Sequence, residues 1–143
     1  MGGEIGAFVE GFPRFMIWSA SAGAMVIAAS TIYVLLTPWK ELALVKEGNA
    51  SAGVALASAV GGLAIPIAST LASSISLFDL LIWGAIALIL QLMVYRLVDL
   101  LLGDVPARIE KDEMGAAIVL AGTKLSSAMI LAAGLWDPVL QRF

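Results

Sequence analysis

Four polar side chains fall where a bilayer would leave them no water: Gln91, Tyr95, Asp99 and Lys124. The first three recur at i, i+4 and i+8 and so form a polar stripe on one helix face. Lys124 stands well inside a later apolar run, roughly 13 Å from the start of that run at 1.5 Å per residue. That depth is near the middle of ~30 Å of hydrocarbon, where a lysine costs about 2.5–3.5 kcal/mol to insert. Ala117, Ala121 and Ala128 share its face and Ser127 is close by, so the side chain is expected to point into a helix bundle. Asp99 lies nearer the boundary, within reach of a long lysine stem. The expected arrangement pairs Lys124 with Asp99, with Tyr95 and Gln91 completing the hydrogen bonds, as a site for an ion, a proton or a substrate. The alternative is an internal clamp, with Lys124 snorkelling and Asp99 paired to Arg96.

The elements that must position these groups follow from composition. The chain has 143 residues, 61% of them hydrophobic and only 13% charged, against about 25% charged in soluble domains. Its mean hydropathy is +1.00. So short a chain must still cover itself with polar surface in water, so lipid is the expected solvent. The net charge of −3 offers no basic surface for nucleic acid. There is no cysteine and no histidine, which removes disulfides, thiol chemistry, the commonest metal ligand and the commonest general base. No metal site, no cofactor and no enzymatic activity are expected.

Four apolar stretches are long enough to cross a bilayer: about 15–36, 50–72, 77–102 and 115–135. They define a four-helix transmembrane domain over 15–136. Residues 1–14, with Phe8 and Phe12 at helical spacing, are expected to lie on the membrane surface. A signal peptide is rejected because the start is acidic and the apolar run continues past the small residues. Residues 137–143 form a short tail. Thr37-Pro38 and Trp136-Asp137-Pro138 are stop signals, and Trp18 and Trp39 suit the two interfaces. In the second helix Gly53, Ala57, Gly61, Ala64 and Ala68 share one face. Small residues let helices approach closely in lipid, so this stripe is expected to be the packing face, or less favourably to line a pathway with Ser58, Ser69 and Thr70. Pro66 is expected to kink this helix.

Two charged turns, 39–49 and 103–114, precede the second and fourth helices. Gly48 and Asn49 supply turn and cap chemistry in the first. At a constant offset of 65, Ile17-Trp18-Ser19-Ala20 faces Ile82-Trp83-Gly84-Ala85, and Lys46-Glu47 faces Lys111-Asp112. The expected fold is therefore all-α, with four transmembrane helices arranged as two tandem two-helix repeats. The copies would be related by an axis along the membrane normal. Lys40, Lys46, Arg108 and Lys111 place both charged turns in the cytoplasm and both termini in the periplasm by the positive-inside rule. The acidic run 110–113 is expected to be a solvated loop.

Glu47-Gly48-Asn49-Ala50-Ser51-Ala52-Gly53-Val54-Ala55-Leu56, Gly61-Gly62-Leu63-Ala64-Ile65-Pro66 and Ser76-Leu77-Phe78-Asp79-Leu80-Leu81-Ile82-Trp83-Gly84 together resemble the YjfL-like bacterial inner-membrane proteins (domain of unknown function 350, UPF0719). The resemblance covers about 15–135. It implies four crossings of the bacterial plasma membrane and no established catalytic activity. It also suggests envelope maintenance or stress, with a PspA-like cytoplasmic partner. Met114 stands where that pattern has asparagine, and Lys124 where a neutral residue is expected. Two functions remain. The first is a small integral protein acting by association, in a homo-oligomer or with a membrane-protein partner. The second is an oligomeric channel or transporter built around Lys124.

Overall fold

The computed structural model describes residues 2–37, 40–73 and 76–135. Pro38, Trp39, Trp136 with its stop signal and the tail 137–143 lie outside the described residues. Six helices follow one another: α1 (Gly2–Leu36), α2 (Glu41–Lys46), α3 (Ala50–Ser73), α4 (Leu77–Leu102), α5 (Val105–Glu110) and α6 (Met114–Leu135). The described residues form an all-helical fold, and α1, α3, α4 and α6 are each long and apolar enough to cross a membrane. The last three keep close to the expected bounds.

Two differences concern the ends of the crossings. The stretch 1–14 is not separate, because α1 is one continuous helix of 35 residues with Pro13 inside it. Each charged turn contains a six-residue helix, where the sequence suggested irregular chain. The short helices share a capped C-terminal end. Beyond α2, Gly48 adopts φ +90°, and the Gly48 and Asn49 N–H groups return to the carbonyls of Val45 (3.0 Å) and Leu44 (2.9 Å). Beyond α5, Asp112 takes the same role at φ +58°, with Asp112 N–H on Ile109 O and Glu113 N–H on Arg108 O, both 2.9 Å. This paired pattern satisfies the orphan carbonyls of a helix end. α4 starts at Ser76, whose hydroxyl accepts from Asp79 N–H (3.3 Å), and stops at Gly103, φ +74°.

α3 is the hub. It packs most extensively on α6 and also touches α1, α2 and α4. Its buried face carries Ala52, Ala55, Ser58, Ala59, Leu63, Ile67 and Thr70. The expected packing stripe lies largely on the other side: Ala57 and Ala68 are exposed, and Gly53, Gly61 and Ala64 only half-buried. Gly61 alone is tight, since a Cβ there would sit 3.2 Å from Leu125 of α6. The reason is angular. A chain of small residues and a chain of mixed Ala, Ser and Leu both repeat every three to four residues, and only the second is buried against the partner helices.

Candidate functional site

α6 buries Ala117, Leu120, Lys124, Ala128, Ala132 and Leu135 along one stripe. Lys124 lies in the middle of it and is fully buried. Opposite, α1 presents Ala22, Ala29 and Tyr33, and Tyr33 is also fully buried. The Lys124 Nζ donates to the Tyr33 hydroxyl and sits 4.2 Å from the centre of the Tyr33 ring, close enough for the cation to feel the face of the π system. Gln91 approaches from α4, and its Nε2 donates to the Lys124 carbonyl at 3.3 Å. The Ser127 hydroxyl donates to the same carbonyl at 2.9 Å. Gln91 fits because α3 has no side chain opposite it. A Cβ on Gly62 would lie 2.5 Å from Gln91 Oε1.

The carboxylate that faces this cluster is not the expected one. Asp99 accepts from Val105 N–H (2.9 Å) and thereby caps α5. Glu41, the first residue of α2, is fully buried and lies within electrostatic range of Lys124, Tyr33 and Tyr95. Successive i+4 steps advance a helix by about 400°, so the stripe drifts some 80° between Gln91 and Asp99. Gln91 faces the core, Tyr95 packs with Ala52, Ala55, Val98, Val105 and Ile109, and Asp99 turns half out of the bundle. The structure therefore brings Lys124 and Gln91 together, keeps Tyr95 within electrostatic range of Tyr33 and Glu41, and sends Asp99 to another neighbour.

Tyr33 and Glu41 were missed by inspection of the sequence. Tyr33 carried a signal, because it shares the period of Ala22 and Ala29. Glu41 carried a weaker one: it sits three and four residues before Leu44 and Val45, which are half-buried on the same face of α2. The cluster joins α1, α2, α4 and α6 through polar groups in an apolar bundle. It can clamp the helices, or hold and release a proton; in the isolated chain Lys124 has no contact with solvent.

The two charged turns are locked together at the same end of the bundle. Asn49 Oδ1 accepts from Ala52 N–H (2.8 Å) and so caps α3. Its Nδ2 donates to Ile109 O (2.8 Å) and Glu110 O (3.4 Å) across the second turn. Asp112 Oδ1 accepts from Ser51 N–H (2.9 Å) in return. The Ser51 hydroxyl beside it and the Ser51 N–H hold the Asp112 carboxyl below its usual range. Arg108 pairs with Glu113 at 3.2 Å on the surface.

The model of the Domain of Unknown Function (DUF350) family matches residues 7–135. The chain belongs to the DUF350 family. It is 32% identical over 110 residues to the UPF0719 inner membrane protein YjfL of Escherichia coli (strain K12), a match that covers 77% of this chain and 83% of that protein. The protein of the same name from Escherichia coli O157:H7 matches with the same identity and coverage. No solved structure matches. The family match includes most of the projecting half of α1, Lys124 and both turns.

Proposed function

We propose that this chain is a multi-pass protein of the bacterial inner membrane that works by association with further copies of itself. The carrying observation is the small-residue stripe of α3. Gly53, Ala57, Gly61, Ala64 and Ala68 run down a face that the bundle leaves half or wholly uncovered. Lipid tails gain little from such a groove, whereas another helix can lay its backbone into it. The projecting half of α1 supports the same reading. At 1.5 Å per residue α1 is about 52 Å long, and even a helix tilted by about 40° uses only some 26 residues to cross ~30 Å. Every residue from 2 to 17 is exposed, including Ile5, Phe8, Val9 and Phe12. Phe8, Phe12 and Phe15 stack along it at 5.2 and 6.3 Å. Arg14 lies 6.0 Å from the Trp18 ring, a pairing suited to the interface.

In this reading the termini face the periplasm and the interlocked turns the cytoplasm, following their lysines and arginines. The order long–short–long, twice over, favours two tandem units, α1–α3 and α4–α6. The turns end at Gly48 and Asp112, one residue short of the offset of 65. The family resemblance extends the role to envelope maintenance, with a PspA-like protein meeting the turns. No catalytic step is part of it.

The test is the mass of the particle in nanodiscs. Wild type is expected as a discrete oligomer, and Ala57→Leu as monomer with unchanged helix content. A monomeric wild type, or an Ala57→Leu particle of unchanged mass, overturns the reading. A channel or transporter built around Lys124 would instead need that residue to meet water, which labelling of a cysteine placed at Ser127 would report.

A further inference from the structure

α1, α4 and α5 enclose a cleft of about 500 Å³ at the charged-turn end, lined by Leu36, Leu92, Tyr95, Arg96, Asp99 and Asp104. Its chemistry is graded with depth. Leu92 stands about 15 Å before the end of α4 at 1.5 Å per residue, among hydrocarbon. Arg96 is one turn higher, and Asp99 and Asp104 stand at the rim, level with lipid headgroups. Leu92 and Arg96 also border a second, apolar hollow of about 630 Å³ on the outer surface of α4, with Ile89, Met93, Leu97 and Leu100. A polar cleft and an apolar surface thus meet at one arginine.

We infer that this cleft holds the headgroup of a phosphatidylethanolamine molecule, with an acyl chain laid along the apolar surface of α4. Arg96 is exposed and in no ion pair among the described residues, and its planar fork matches two phosphate oxygens. Asp99 uses one oxygen on Val105 N–H and Asp104 one on Ala107 N–H (3.4 Å), so each keeps acceptor capacity for the ammonium group. One cation and two carboxylates suit a head that carries both a phosphate and an N–H donor. Phosphatidylglycerol offers no ammonium and brings its phosphate beside two uncompensated carboxylates. Phosphatidylcholine offers a cation without N–H donors. The inference stands independently of the association proposed above, since α3 takes no part in the cleft.

The experiment is native mass spectrometry of the full chain released from nanodiscs of equal phosphatidylethanolamine, phosphatidylglycerol and phosphatidylcholine. One phosphatidylethanolamine per chain is expected to survive, about tenfold enriched over the others, a difference of the size one good ionic contact supplies. Arg96→Gln should bring retention to parity. Asp104→Asn should lower it while keeping the α5 cap, because asparagine tolerates the φ of +53° found there, and it serves if Arg96→Gln does not fold. Equal retention of the three lipids by wild type, enrichment of phosphatidylglycerol, or unchanged enrichment in folded Arg96→Gln overturns the inference. So does binding of free O-phosphoethanolamine as tight as that of the lipid, which would make the ligand a soluble phosphate ester.

Discussion

A lysine enclosed by apolar helices persists only if its charge meets compensating groups. Lys124 has the Tyr33 hydroxyl and ring, with the Glu41 carboxylate in electrostatic range. Removing one partner strands the other, so Lys124→Met is expected to destabilise by about 3–5 kcal/mol. Glu41→Gln combined with Lys124→Met should cost less than the two single changes added, with a coupling of about 0.5–3 kcal/mol in a double-mutant unfolding cycle. Strict additivity would place Glu41 outside the cluster. Gly62→Ala tests the other side of the site. In an ordinary helix interior that change stabilises by up to about 1 kcal/mol. Here the new methyl would press on Gln91 Oε1, so thermal unfolding is expected to show a loss of about 1–3 kcal/mol, relieved in Gly62→Ala with Gln91→Ala.

At the scale of elements, the two short helices and the bonds between the turns fix how α3 and α6 start. Asn49 both caps α3 and ties it to the second turn. Asn49→Ala should therefore lose a cap, about 1 kcal/mol, and a cross-turn hydrogen bond, about 0.5–1.5 kcal/mol. A loss of no more than about 1 kcal/mol in chemical denaturation, the share of the cap alone, would show the cross-turn bond to be idle. Asp112 adds a pH dependence. Its carboxyl lies below the ordinary 3.8 when folded. Its contribution is thus complete above the unfolded value and is lost as pH falls through the folded one. Wild type should lose stability below about pH 4 more steeply than Asp112→Asn, and parallel acid titrations would refute the assignment.

For the whole molecule, the question is which surface meets lipid and which meets protein. Ala57 is exposed, so Ala57→Leu should alter the stability of the single chain by less than about 0.5 kcal/mol while shifting the particle mass in nanodiscs. That contrast separates an interface from a core. α1 carries its own consequence: a helix about 52 Å long cannot be matched to one bilayer, so its first turns must find an interface, a headgroup layer or a neighbouring chain.

Four long helices, their ends within a residue or two for three of them, and the membrane setting were legible in the sequence. Apolar length is a local property, and the bilayer imposes its thickness on each helix separately. The cap at Asn49 was legible for the same reason. Lys124 could be placed in the bundle from its small-residue neighbours, but its partners could not. Asp99 lay at a suitable depth and Glu41 in a supposedly solvated turn, and only the rotation of α4 and the inward fold of α2 decided between them. The same holds for α3, where two interleaved stripes of small side chains were equally periodic. Periodicity gives a face for each helix; which face is covered depends on where the other three helices stand, and that is settled by packing between residues far apart in the chain.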